Sequence, residues 1–278
     1  MNRSMKAEVP VYDSASTRWR AIEELLQAVR YKSLIVQLVR RDVLSRYKRS
    51  VLGVAWTMLN PLGTMLVLTI AFSQLFKGTR AYPSYVLSGL VAWTFFSQTT
   101  TIAMTQLVWG GGLLSRIYVP RTIFAVSSIG TGLVNITLSL VPLAGVLLIN
   151  GTPIRPSVLF LPISILFLAL FSLGVGLLLS TLAVYFHDVV EMYQIGLMAW
   201  MYLTPIIYPE QIIPEAYRAV LLNLNPMYHL VVLFRKPLYE GQLPSGEQFL
   251  LAAGFSLLAL AIGWLVFTNK ADEFGYRV

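Results

Sequence analysis

From residue 54 to residue 268 the chain reads as six uncharged apolar blocks, at 54–76, 85–107, 123–149, 158–186, 192–208 and 249–268, separated by polar stretches. Each is long enough for a helix to cross the ~30 Å hydrocarbon core of a bilayer. Within the blocks the apolar residues run on continuously, without the alternation a membrane β-barrel would need. Lipid offers no partner for backbone N–H and C=O groups, so continuous apolar runs of this length must be helical. The pattern predicts an all-α integral membrane protein with six transmembrane helices, forming one domain over 1–278 with its bundle at 54–268. No internal repeat interrupts it.

Two segments depart from that pattern. Before the first block, Ile22, Leu25, Leu26 and Val29, then Ile35, Leu38, Val39 and Val43, recur at spacings of three and four, with Arg30, Lys32, Arg40, Arg41 and Arg46 between them. This predicts an amphipathic interfacial helix, or helix pair, over 20–50, following a polar tail at 1–17 that is expected to be mobile. A basic anchor that fixes topology and binds anionic lipid is an equally simple reading of that helix. Between the last two blocks, 209–247 is amphipathic where an ordinary loop would be polar, and Asn225 and Pro226 divide it. Two short re-entrant helices forming an external gate would account for it, as would two helices lying flat on the surface.

Charge orients the bundle. Of the 21 Lys and Arg residues, eleven precede Gly53, so the positive-inside rule puts the amino terminus in the cytoplasm, and six spans return the carboxyl terminus to the same side. The first residues lack the apolar core of a cleaved signal peptide, so the first span is expected to direct insertion. There is no cysteine and there are two histidines, which removes thiol chemistry and leaves little for a metal site. The six blocks contain no Asp, Glu, Lys, Arg or His, which weighs against ion-coupled carriers and intramembrane enzymes. A phosphate-binding GxxxxGK[ST] loop is also missing, so any ATP must act on a partner.

The blocks do carry uncharged polarity. Trp56, Asn60, Gly63, Val67, Ile70 and Gln74 follow helical spacing and put two amides on one stripe. Ser97 to Thr101 form a polar run beside Trp93, Phe95 and Phe96, and Tyr193, Trp200 and Tyr208 line up in the fifth block. Aromatic faces, amides and hydroxyls suit a sugar, and the same residue types serve as interhelical glue and interfacial belts.

Several stretches together resemble the ABC-2 type permeases, within them the polysaccharide-export branch that moves lipid-linked O-antigen, capsule or teichoic-acid polymers. They are RDVLSRYKRSVLGVAWTMLNPL, LLSRIYVPRTIF, YFHDVVEM, YLTPIIYP, NLNPMYHLVVLFRKPLYEG and DEF, in that order. The resemblance implies a homodimer in the cytoplasmic (inner) membrane, paired with two ATP-binding cassette subunits that hold ATP and Mg; this chain binds no cofactor and is not an enzyme by itself. It implies substrate entry and gating at Arg40, Arg41, Arg46, Tyr47 and Lys48. ATPase coupling falls to Arg116, Tyr118, Arg121, His187, Asp188 and Glu191, with His187 standing where such sequences usually carry Arg. Channel lining falls to Trp56, Asn60, Gln74, Trp93, Tyr193, Trp200 and Tyr202, and the external gate to Pro226 and Arg235. Rival readings are a drug or free-lipid exporter of the same family, a membrane-embedded glycan- or acyl-transferring enzyme, and a passive channel.

Overall fold

The computed structural model describes residues 24, 26, 29–48, 50–79, 81–109, 120–271 and 274, and these are mostly helical, with no strand among them. The helices are α1 (Lys32–Tyr47), α2 (Ala55–Phe72), α3 (Tyr82–Trp109), α4 (Thr122–Ile149), α5 (Leu161–Tyr185), α6 (Val189–Leu203), α7 (Glu215–Arg218), α8 (Pro226–Arg235) and α9 (Gly246–Lys270). The expected tail at 1–17 lies outside the described residues.

Among the described residues, four segments are long and apolar enough to cross a membrane: Ala55–Phe72, Thr122–Ile149, Pro156–Tyr185 and Gly246–Lys270. The second and fifth expected spans differ from these for separate reasons. α3 has 28 residues and no charge, but its Ser, Thr and Gln content makes it less apolar. α6 has 15 residues, roughly 22 Å at 1.5 Å per residue, and stops at Leu203 because Pro205 pushes Thr204 into extended backbone.

α3 is the core of the molecule. From Tyr85 to Trp93 every residue is buried, and the helix packs against α2, α4, α5, α6 and α8. Closest approach in the bundle is between α5 and α9, which have the most extensive helix–helix contact. A Cβ placed on Gly174 would meet the backbone of Ala259, and one on Gly263 would meet the backbone of Gly174. Small residues at such a crossing let backbones touch and gain dispersion energy where no hydrophobic driving force operates between helices in lipid.

α1 is tied to the bundle by one apolar face. Leu38 is buried against Ile123 and Phe124, with Tyr31, Leu34 and Ile35 packed around it. Two polar links flank that contact: Thr122 Oγ1 donates to Glu24 at 2.7 Å, and Gln106 Nε2 donates to Asp42 at 2.6 Å. The amphipathic period therefore has a partner in protein, on α4, while Arg40, Arg41 and Lys48 face outward. Tyr31 interrupts the helix just before α1, as a helix pair would require.

The external segment divides at Asn225, as its composition predicts. α7 runs into a wider π-helical turn at Ala219–Asn223, and α8 starts at Pro226 and continues into a second such turn at Lys236–Glu240. Asn225 caps α8 by accepting from the Met227 and Tyr228 N–H groups, and proline fits the first helical position because its missing N–H is not needed there.

Candidate functional site

The antiparallel helices give the bundle two ends. At one end lie α1, the starts of α2 and α4, the α5–α6 turn and the end of α9. The other holds the α2–α3 connection, 203–212, α8 and the start of α9. Between them a groove of uncharged hydrogen-bonding groups opens at the depth of the spans.

That groove has a volume of about 410 Å³ and is lined by Ser97, Gln98, Thr101, Ile102, Gln194 and Leu197. The Ser97–Thr101 run is split by its helical geometry. Thr99 and Thr100 turn inward and spend their hydroxyls on the carbonyls of Phe95 and Phe96, and Thr100 also meets the Tyr193 hydroxyl at 2.6 Å. Ser97, Gln98 and Thr101 remain on the groove side. Gln98 also borders a small polar gap shared with Thr57, Thr94, Asn135 and Ser139. Amides left open at membrane depth are costly against hydrocarbon, so the groove needs water, a polar ligand or another protein surface in front of it. Gln194 is absent from the residues that sequence reasoning singled out; its signal is that it is the one amide among the residues of α6.

The amides of the expected stripe face outward, Asn60 on α2 and Gln74 in the turn past its end at Phe72, although the first block predicts a helix to Phe76. Trp56 and Ile70 are 52% and 74% exposed, Asn60 and Gln74 are exposed with them, and the opposite side of the helix buries Pro61 and Met65. Tyr202 on α6 is likewise exposed. Trp93 and Trp200 are arranged differently. Trp93 is 5% exposed and meets Trp200 edge-on at 6.2 Å, inside a cluster with Phe96 and Phe171. Trp200 Nε1 donates to Asn225 Oδ1 at 2.8 Å, and Asn225 Nδ2 donates to Thr204 Oγ1 at 2.9 Å, so α6 and α8 share one hydrogen-bonded junction. Pro226, the next residue, is half-buried at that junction.

Arg235 closes the external end. It is buried, its Nη1 donates to Pro205 O at 3.0 Å, its Nη2 reaches Ile206 O at 3.4 Å, and its guanidinium lies 3.7 Å over the Tyr85 ring. The single Tyr85 hydroxyl proton is shared between Pro205 O and Tyr208 O, each 3.0 Å away, and Tyr82 donates to Ile207 O at 2.8 Å. The carbonyls of 205–208, which the broken α6 no longer pairs, are thus met by three side chains. This is how non-helical backbone at membrane depth is satisfied. The Thr204-Pro205 step signals the break in the sequence, but nothing there identifies Tyr82 and Tyr85 as its partners.

Beside this clasp is a cavity of about 640 Å³, walled by Phe76, Glu210, Tyr228, Lys236, Tyr239 and Glu240 among others. Tyr228 donates to Glu210, and burial first, then the Glu210 carboxylate, pushes its phenol above the usual range.

At the opposite end the expected entry and coupling residues gather. Arg40, Arg41 and Lys48 are exposed along α1, with Arg41 paired to the neighbouring Asp42 at 2.8 Å. Arg46 and Tyr47 fall in its last turn, their side chains outside the described set. Arg116 and Tyr118 lie outside the described residues. His187 and Asp188 are exposed on the α5–α6 turn and Glu191 on the first turn of α6, while Arg121 donates to Ala271 O and lies 5.5 Å over the Phe274 ring, tying the start of α4 to the end of the chain.

A multi-helix membrane bundle with a charge-free polar groove, a clasped break in one helix and a basic interfacial helix is a permease in architecture. The chain belongs to the ABC-2 type transporter family, whose profile matches residues 33–239. It is 31% identical over 262 residues to the O-antigen export system permease protein RfbA of Myxococcus xanthus, covering 93% of this chain and 99% of that protein. A Klebsiella pneumoniae protein of the same name is 25% identical over 76% of this chain and 82% of its own length. The polysialic acid transport protein KpsM of Escherichia coli is 24% identical over 87% of this chain and 95% of its own length.

Proposed function

We propose that this chain is the membrane-spanning subunit of an ATP-driven exporter that carries a lipid-linked polysaccharide across the cytoplasmic membrane. The observation that carries the reading is the near-full-length likeness to a permease named for O-antigen export, together with a second relative named for polysialic acid transport. The groove chemistry agrees with it. Ser97, Gln98, Thr101 and Gln194 offer donors and acceptors without fixed charge, which suits a sliding polyhydroxyl polymer better than an ion or an apolar drug.

In this reading the chain crosses the membrane six times, on α2, α3, α4, Pro156–Tyr185, α6 with its clasped continuation, and α9, with both termini cytoplasmic. The segments at Glu215–Asn223 and Pro226–Glu240 re-enter from the outer side as a gate. Two copies assemble, presenting Trp56 and Asn60 on the outer face of α2, Gln74 just past its end and the exposed Tyr202 of α6 along the path, with Tyr193 and Trp200 packed behind them. Two ATP-binding subunits, which hold the ATP and Mg, dock at the α5–α6 turn and the 110–121 connection. Arg40, Arg41 and Lys48 meet an anionic lipid pyrophosphate or phosphate head at the cytoplasmic lip, where arginine provides bidentate contacts.

The test is affinity purification of the chain in mild detergent, paired with depletion in the cell. An ATP-binding polypeptide in equal amount and lipid-linked glycan accumulating on depletion are the expected results. Purification without any ATPase under several gentle conditions, with no glycan accumulating, would overturn the proposal.

A further inference from the structure

We infer that the cavity beside the Arg235 clasp is a saccharide-binding site that takes a neutral sugar at the outer end of the molecule. This deepens the export reading and rests on it for the source of the sugar. Several observations converge on that ligand class.

The first is size and openness. At about 640 Å³ the cavity falls within the ~300–1,000 Å³ typical of small-molecule sites, room for more than one sugar ring. The second is the charge set. The charged groups lining the cavity are Glu210 and Glu240 against Arg235 and Lys236, so they cancel formally. A phosphate or uronate would meet two carboxylates there, and a lone cation would meet a guanidinium and an ammonium. No group of three or more His, Cys, Asp or Glu residues among the described residues is arranged for a metal.

The third observation is the kind of wall. Phe76 and Tyr239 contribute aromatic surface; aromatic faces carry partial negative charge and attract the polarised C–H groups of a pyranose. Gln211, Gln248 and the two carboxylates add planar acceptors and donors that match vicinal hydroxyls. An acyl chain would find these groups unpaired, at a cost of roughly 1–3 kcal/mol each by mutational scales. The fourth is rigidity. Arg235 is fixed by two carbonyls and a ring, Glu210 by Tyr228, and Lys236 by Gln248 at 2.9 Å, so the wall is preformed and little ordering entropy is lost on binding.

The site lies where 73–79, 205–212 and α8 meet, against the backbone that Arg235 clasps. A sugar held there would bridge the α2–α3 connection and the outer helices while the chain behind it advances, so the cavity acts as a holding point for emerging glycan.

The experiment is saturation-transfer difference NMR on the full chain in lipid nanodiscs without an ATPase, using methyl glycosides of glucose, mannose and rhamnose, the disaccharide maltose, and glucuronate and glucose 6-phosphate as charged probes. At least one neutral probe should receive saturation, with the charged probes at least several-fold weaker. Tyr239→Ala and the cavity-filling Thr79→Trp should each abolish the transfer, in proteins whose melting temperatures show that they still fold. Glu240→Lys should move preference toward glucuronate. Transfer that survives both Tyr239→Ala and Thr79→Trp, stronger transfer to the charged probes in the unaltered chain, or no transfer to any neutral probe would overturn the site. Because no ATPase or transport enters this measurement, its failure alongside intact co-purification and glycan accumulation would remove the saccharide site and leave the export reading standing.

Discussion

Arg235→Met tests whether the broken end of α6 is held by the clasp. Methionine keeps much of the stem's packing but removes both N–H donors, leaving Ile206 O without its side-chain partner and Pro205 O with only the Tyr85 hydroxyl. Hydrogen bonds to charged groups contribute about 1.5–3 kcal/mol, and the 3.4 Å contact belongs at or below the lower end. Losing the cation from the Tyr85 face adds up to ~2 kcal/mol in a desolvated setting. Against this, a buried cation carries a desolvation cost that methionine abolishes, and Arg235 Nε has no hydrogen-bond partner among the described residues. The balance is a loss of about 2–4 kcal/mol, roughly 4–8 °C in melting temperature for a chain of this size. Scanning fluorimetry on the detergent-purified chain reads it directly. Tyr85→Phe keeps the ring and removes the one hydroxyl proton shared between Pro205 O and Tyr208 O, and the double variant should be non-additive by ~0.5–3 kcal/mol because both side chains serve Pro205 O. A melting temperature within 2 °C of the parent for Arg235→Met, with additivity in the cycle, would refute the clasp.

Gly263→Ala places a methyl group against the Gly174 backbone and should destabilise by about 1–3 kcal/mol, whereas Gly145→Ala, where nothing lies within 4 Å, should be neutral or stabilising on the same melting assay. Asn225→Ala removes the α8 cap and the partners of Trp200 and Thr204; a loss of about 1–3 kcal/mol is expected, with Trp200→Phe reproducing only part of it. Asp42→Ala cuts the link from α1 to Gln106, and hydrogen exchange over 32–47 should speed several-fold while the bundle's protection holds; unchanged exchange would mean that Leu38 and Val39 hold α1 alone. Gln98→Leu with Gln194→Leu should slow polymer export while leaving ATP hydrolysis by the assembled transporter largely intact, and equal loss of both activities would assign these amides to packing.

Hydrophobic block length made the helical membrane class legible from sequence, because lipid forbids unpaired backbone whatever the side chains are. The charge asymmetry predicted an orientation, the period of three and four marked the face of α1 that packs on α4, and Asn225-Pro226 marked the start of α8, since each signal is local along the chain. The family was legible too, through the order of several weak motifs. What sequence spacing did not reveal is who meets whom across the fold. Block length extended the fifth span to Tyr208, but hydropathy cannot register that the helix stops at Leu203 and that its loose carbonyls are met by Tyr82, Tyr85 and Arg235, more than a hundred residues away on one side and about thirty on the other. Helical spacing put Asn60 and Gln74 on one stripe; the tertiary structure ends α2 at Phe72 and leaves both amides exposed, Asn60 on its outer face and Gln74 in the turn beyond. The Ser97–Thr101 run reads as uniform polarity, whereas the tertiary structure turns Thr99 and Thr100 inward and sets Ser97, Gln98 and Thr101 on a groove shared with Gln194. Period and composition are fixed by residues a few positions apart, but a cavity is fixed by side chains whose separation in sequence carries no pattern, so its walls exist only once the helices have packed.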